Sequence, residues 1–319
     1  MTAPDWVDRL QDVTHPDLFR DVAASLLYDH VLVMRQPDDA SIFRTFAIED
    51  VEFYHHVPET HEDIFCHAAP EQVNAGTWYF HAAGKAQTGY KEGNYKGLDI
   101  TYGPSTSRSG ILIRRLRSLD HHTVIEGPSK VVTCLLAIAG ETKVRHLIDA
   151  LKRASPSMPL SIHGSLLFLK RQQVPEHSDD RLSKLWSMPR YGLQFKRNAA
   201  DVARCCQFVK KPYRFAQHRP KIGMVHLFCA ALDTLSDADL RSKETATITA
   251  LAAAQLGLPE TNAMRRWTEA YRSAPDRFAA TAPHRSVTTP HAYSAFETAS
   301  LFGFLRAHPD WSDEKEENE

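Results

Sequence analysis

Ile48-Glu49-Asp50-Val51-Glu52-Phe53-Tyr54-His55-His56-Val57-Pro58-Glu59-Thr60-His61-Glu62-Asp63-Ile64-Phe65-Cys66-His67 concentrates more titratable side chains than any other stretch of this length in the chain. It begins as a strand. Side chains on a strand alternate with a period of two, so Ile48, Asp50, Glu52 and Tyr54 share one face and a carboxylate and a phenol point the same way. Pro58 marks a turn, and the segment after it sets Asp63 and His67 one turn apart if it is helical. The reading predicts a site where acid, phenol and imidazole meet.

Working outward, the residues on either side read as a sheet. Leu18, Val22 and Leu26, with Phe19 and Ala23, recur at helical spacing within 15–28, with Thr14 or Asp17 as cap. His30 to Arg35 and Phe43 to Tyr54 read as two strands around a turn at 36–41, which makes a hairpin. Thr77 to His81, Tyr95 to Thr101, Ile111 to Leu116 and Leu160 to Arg171 read as further strands. Gly84, Gly89, Gly93, Gly97, Gly103 and Gly110 between them suit tight turns and curled strands. Of the neighbours Arg114 and Arg115, one must face each side of the sheet, so a buried carboxylate partner is expected for one of them.

Gly127-Pro128-Ser129-Lys130 opens an apolar helix at 131–138, and the backbone donors at such a start can hold a phosphate. Arg190 to Leu193 reads as a compact strand or turn. Phe208-Val209-Lys210-Lys211-Pro212-Tyr213-Arg214-Phe215 is the most basic and aromatic octet and the best candidate for a backbone-binding patch. From Gly223 the texture turns helical, with helices expected at 225–235, 237–256, 263–273 and 293–307. Trp311 to Glu319 is mostly acidic and is expected to be disordered.

Composition narrows the class. A formal charge of -1 gives no global basic field, so a nucleic-acid partner has to be held by a local patch. The five cysteines form no Cys-x-x-Cys pair and read as reduced thiols. The start of the chain carries Asp5, Asp8 and Asp12, and no apolar run reaches about eighteen residues. These features predict a soluble intracellular protein, in the cytoplasm or, in a eukaryote, the nucleus. His55, His56, His61, Cys66 and His67 match neither a His-Glu-x-x-His nor a Cys-x-x-Cys pattern, so no metal and no cofactor is expected.

Taken in order, these motifs resemble the alkyladenine (3-methyladenine) DNA glycosylase family. The helix, strand and Glu-x-Tyr strand end of that family resemble Leu18 to Tyr54, with Glu52 and Tyr54 in the motif positions. Its His after a short Asp-containing turn looks like His67, its Leu-Leu-Arg-Ala-Leu strand like 112–116, and its Gly-Pro-x-Lys helix start like 127–130. Its Arg-x-Gly-Val and Lys-Pro-Leu-Arg-Phe resemble 190–193 and 211–215. The resemblance implies that Glu52 is the general base that activates water against the anomeric carbon and that Arg114 positions it. It implies that Tyr54 and His67 enclose a base flipped out of its stack, and that Lys130, Lys211 and Arg214 grip phosphates.

The sequence departs from the family at three positions. Gly89 stands where the family stacks a second Tyr, Glu92 where it wedges a Tyr into the duplex, and Asp99 where it has an Asn that screens bases. A carboxylate driven into a base stack is desolvated and repelled by phosphates, so ionised Glu92 is unsuited to the wedge.

The expectation is therefore an α+β chain. Residues 1–222 form a catalytic domain built on a single curved mixed β-sheet with flanking helices, similar to the methylpurine-DNA glycosylase fold. Residues 223–310 form a helical C-terminal extension and 311–319 a disordered tail. The expected activity is hydrolysis of the N-glycosidic bond of a modified or damaged purine flipped out of DNA, as in base-excision repair. The alternatives are a glycosylase or nucleosidase acting on free nucleosides, single strands or another modified base, and a noncatalytic nucleic-acid-binding module. Expected partners are nucleic acid, DNA first, or a modified nucleoside, with no membrane and a monomeric chain.

Overall fold

The computed structural model describes residues 6–39, 41–83, 89–160, 165–172, 184–193, 199–219, 223–279 and 295–308. The expected acidic tail at 311–319 lies outside them. The chain divides into one unit of Met1–Ser187 with Tyr213–Arg219, and a second of Met188–Pro212 with Pro220–Glu319.

The first unit is α+β. Helix α1 (Phe19–Asp29) buries Phe19, Val22, Ala23, Leu26 and Leu27, a stripe at three- and four-residue spacing. A 3-10 turn, Pro16–Leu18, leads into it, and there the side chain of His15 accepts from the Asp17 amide, so His15 is the cap expected of Thr14 or Asp17. Strands follow in the order β1 (His30–Arg35), β2 (Phe43–Tyr54), β3 (His56–Val57), β4 (His61–Glu62), β5 (Trp78–Phe80), β6 (Ala82–Ala83), β7 (Gly89–Tyr90), β8 (Leu98–Tyr102), β9 (Ser109–Ser118), β10 (Val124–Glu126), β11 (Leu167–Arg171), β12 (Trp186–Met188) and β13 (Arg214–Ala216). Helices α2 (Pro128–Ile138) and α3 (Val144–Ala154) come between β10 and β11.

Among the described residues the main sheet has nine strands, with β11-β1-β2-β9-β8-β5 as its path and β13 paired to β2. It curls into an antiparallel half-barrel flanked by helices. Every neighbouring pair on that path is antiparallel, where a mixed sheet was expected. Short connections join β1 to β2 and β8 to β9, whereas β2–β9 and β1–β11 pair strands far apart in sequence.

Strand β2 is buried without interruption from Phe46 to Phe53. Its period of two therefore separates two kinds of buried face. On one, Phe53 stacks on Phe19 of α1 at 4.5 Å between ring centroids, and Phe215 and Tyr102 meet Phe53 edge-on. On the other stand Asp50, Glu52 and Tyr54. The pairing of β2 with β9 shifts between Asp50 and Val51, whose partners are Arg115 and Ile113, so Arg114 is the unpaired residue of a bulge.

The second unit is helical in its larger part, with α4 (Ala199–Val209), α5 (Met224–Asp233), α6 (Asp237–Ser242), α7 (Thr245–Gln255), α8 (Asn262–Ala279) and α9 (Ala295–Ala307). The single helix expected over 237–256 is two. Ser236 caps the first through its hydroxyl, and the backbone turns extended at Lys243 and Glu244 before the second begins. Arg190 lies outside regular secondary structure, just before a bend at Tyr191 and Gly192, and is fully buried.

Two outcomes follow. Phe19 and Phe53 are fully buried and stacked, so Phe19→Ala is expected to lower the unfolding free energy measured in urea by about 3–5 kcal/mol. His55 is the second case. Its ring stacks on Tyr102, its Nδ1 lies 2.9 Å from Ser109 Oγ, and its pKa falls from 6.5 to about 4, first through burial and then through His61. Between those values the unfolded chain takes up a proton that the folded chain refuses. Stability is then complete above pH 6.5 and falls toward pH 4 by about 1.4 kcal/mol per unit from this group. Urea titrations across that range should show a shallower slope in His55→Gln; an identical slope contradicts the assignment.

Candidate active site

Five strands place one residue each in a single cross-strand row: Arg214 on β13, Glu52 on β2, Leu112 on β9, Asp99 on β8 and Tyr79 on β5. Directly paired residues of antiparallel strands share a face. The row sets Glu52 and Asp99 two strand spacings, about 10 Å, apart on one surface of the sheet.

Glu52 has no exposed surface. Its Oε2 accepts from Arg114 Nη1 at 2.8 Å and from the Tyr54 hydroxyl at 2.9 Å. Two residues further along the same face, Asp50 accepts from Arg214 through Nε at 3.0 Å and also through Nη2, and Arg214 Nε lies 3.9 Å from Glu52 Oε1. Two carboxylates and two guanidinium groups thus balance one another inside the sheet. Burial pushes the Asp50 carboxyl above its ordinary range, against the pull of Arg214 and Arg114, and the neighbouring Glu52 adds to the rise. Burial works against the charge on Arg114, but Glu52 and Asp50 outweigh it and hold that guanidinium above its ordinary value. On the opposite face Glu49 takes Arg115 at 2.9 Å and Arg117, so the two adjacent arginines do part to opposite sides.

At the other end of the row a second polar group surrounds His67. Lys91 Nζ lies 2.9 Å from His67 Nε2, and His67 Nδ1 lies 3.3 Å from the Tyr79 hydroxyl. Lysine has only donors to offer, so Nε2 accepts and the proton sits on Nδ1. Burial, followed by His81 and Lys91, pushes His67 down to about 2, so it stays neutral. Burial also lowers the Lys91 ammonium, with Asp99 pulling the other way, and raises the Tyr79 phenol. His81 packs its ring 4.1 Å from that of His67 and bonds Asp99 through Nε2 at 2.8 Å. Two glycines make room: a Cβ at Gly97 would lie 2.4 Å from the His81 ring, and one at Gly110 would lie 2.6 Å from Asp99 Oδ2.

The residues singled out by sequence therefore fall into several places. Glu52, Tyr54 and Arg114 converge. His67 joins Tyr79, His81 and Lys91 instead of the Glu52 carboxylate. The turn before it is not helical: Asp63 accepts from the Phe65 and His55 amides and shapes that turn. Gly89 pairs with Ala83, and among the described residues nothing lies within 4 Å of a Cβ placed there. Glu92 is exposed, and its Oε1 accepts from the Val144 amide at 2.9 Å, which caps α3. That contact commits it away from the wedge position.

Of the three expected phosphate residues, Lys130 and Lys211 are exposed. Arg214, by contrast, is 2% exposed, and its Nε and Nη2 donate to Asp50. The basic octet is likewise not an open patch: Phe208, Tyr213 and Phe215 are buried, and Lys210 pairs with Asp233 at 2.8 Å. Sequence reasoning passed over Tyr79, His81 and Lys91. A period of two within the expected strand at 77–81 already set the first two on one face, and Lys91 stood between the two noted positions Gly89 and Glu92. Among the described residues no group of three His, Cys, Asp or Glu side chains is placed to hold a metal ion. None of the described helices is long and apolar enough to cross a membrane.

No family model matches the chain. It is 31% identical over 193 residues to the uncharacterized protein L759 of Acanthamoeba polyphaga mimivirus, in an alignment that covers 56% of this chain and 80% of that protein.

The geometry predicts a large cost for halving the Asp50–Arg214 pair. Arg214→Ala leaves a buried carboxylate without its counter-charge and should cost about 3–5 kcal/mol in urea unfolding, of which an added Asp50→Asn recovers the greater part. Equal stability of the single and double variants would contradict the pairing.

Proposed function

We propose that this chain, which belongs to the same family as the mimivirus protein L759, hydrolyses the N-glycosidic bond of a modified or damaged purine in nucleic acid, with Glu52 as general base. The observation that carries the reading is the Glu52 carboxylate. It is buried, oriented by Arg114 and Tyr54 through one oxygen, and set on the same sheet face as a polar enclosure around His67. The order of motifs from Leu18 to Phe215 supports it, as does the α+β architecture, which we read as a methylpurine-DNA glycosylase fold with an added helical unit.

In this reading Glu52 takes a proton from water as the water oxygen attacks the anomeric carbon. The C1′–N bond breaks and the base leaves with its electron pair, to be protonated as it goes. The positive charge that develops on the sugar faces the carboxylate, which Arg114 holds in place. Because Glu52 is covered in the free chain, substrate binding must open a path for water and the sugar. The half-buried ring of His67, kept neutral and fixed by Lys91 and Tyr79, forms part of the wall around the flipped base.

One observation favours a second substrate form. Glu92 caps α3, so the position where the family inserts its Tyr carries no wedge. An exposed base, in a single strand or a free nucleoside, needs none.

The test is base release from duplex DNA, single-stranded DNA, RNA and free nucleosides carrying alkylated or deaminated bases. Release that falls by about 10²–10⁴-fold in Glu52→Gln supports the reading. The substrate on which release occurs selects between duplex and exposed base. An unaffected Gln variant removes Glu52 from the chemistry, and binding without any release leaves a noncatalytic module.

A further inference from the structure

We propose that Lys91 is an amine nucleophile, and that it gives the chain a second activity: cleavage of a deoxyribose strand at the abasic site that base release leaves behind. The inference rests on the reading of the Glu52 site as one that releases a base.

Lys91 directly follows β7. Its amide donates to the His81 carbonyl at 2.9 Å, which anchors it beside the β6–β7 pair, where among the described residues nothing lies within 4 Å of a Cβ placed at Gly89. Its side chain is half-buried, and Nζ lies 2.9 Å from His67 Nε2. Lysines in folded chains are mostly exposed or held in ion pairs. This one is neither: among the described residues no carboxylate lies within 4.0 Å of its Nζ. Burial lowers the ammonium from its ordinary value, so more of it is neutral amine than in a solvated lysine. In that form one N–H goes to His67 Nε2 and the lone pair is left for an electrophile.

The placement supplies the electrophile. Glu52 and Asp99 stand about 10 Å apart on one face, and His81 and His67 carry the polar chain from Asp99 on to Lys91. A nucleotide with its sugar at Glu52 and its base against His67 spans that interval. Once the base has left, the C1′ hemiacetal opens to an aldehyde that rotates freely about the bonds to C2′, and the space beside Lys91 is vacant.

The chemistry balances without an oxidant or reductant. The Lys91 amine adds to the C1′ aldehyde, and the carbinolamine loses water to give an iminium. A proton leaves C2′ to solvent and the C3′–O bond breaks, so the 3′-phosphate departs as the monoester that ends the downstream fragment. Water then hydrolyses the imine, releasing the unsaturated sugar aldehyde and regenerating Lys91.

The experiment uses the full chain and oligonucleotides, duplex and single-stranded, with one preformed 2′-deoxyribose abasic site, so that no base has to be released. Sodium cyanoborohydride reduces the imine to a stable amine, read as a protein–DNA adduct on a denaturing gel, and strand scission is read without it. Wild type should form the adduct and cleave. Lys91→Arg and Lys91→Gln should lose both, with unfolding midpoints and abasic-DNA affinity as controls on their integrity. Peptide mass mapping of the wild-type adduct reads the result without any variant: modification at residue 91 supports the proposal, and modification at another amine, or no adduct, overturns it. Wild type that releases base yet forms no adduct overturns this proposal alone. An adduct at Lys91 with no base release from any substrate overturns the hydrolase reading and keeps the nucleophile.

Discussion

Two carboxylates buried in the middle of a sheet constrain everything else in the first unit. Asp50 and Glu52 lie on one face of β2 with almost no exposed surface, and burying an isolated charge is among the costliest things a fold does. The chain offsets this with Arg114 from β9 and Arg214 from β13, one from each neighbouring strand. Arg114 reaches Glu52 from the bulge in β9, and Arg214 reaches Asp50 from β13, which begins inside the basic octet. The pairing makes the region intolerant of change, since losing either partner strands a charge.

The same arrangement makes the face chemically useful. A carboxylate fixed by a guanidinium and a phenol through one oxygen needs little reorganisation when charge develops in front of it. Two strands away the neutral His67, bonded to a desolvated lysine and a phenol, offers a different environment on the same surface. The row thus holds the Glu52 carboxylate toward one end and, toward the other, a mixed wall of carboxylate, imidazole, phenol and ammonium groups. A polar molecule lying along it is read at both ends, and the apolar Leu112 separates them.

Much of this was legible in the sequence, for local reasons. Strands β1 and β2 have the bounds that alternation and turn residues predicted, and the period of two had already set Glu52 and Tyr54 on one face; which of Arg114 and Arg115 joins them there is decided by the bulge in β9. What was not legible is long-range. The Asp50–Arg214 pair joins residues 164 positions apart, and no local pattern says which face of a three-residue strand is buried. The octet looked like a cationic aromatic patch because the chain order mixes a helix end, a turn and a buried strand that point different ways. Asp63 and His67 were separated by side-chain to backbone bonds that favour a turn over a helix.

The central claim is that Glu52 stands where positive charge develops on a sugar. It can be measured without knowing the base, by comparing affinity for DNA holding a cationic pyrrolidine abasic analogue with affinity for the neutral tetrahydrofuran analogue at one salt concentration. A carboxylate built for that charge predicts tighter binding of the pyrrolidine by about 10²-fold or more, with the preference lost in Glu52→Gln. Equal affinity for the two analogues in the wild-type chain would contradict it.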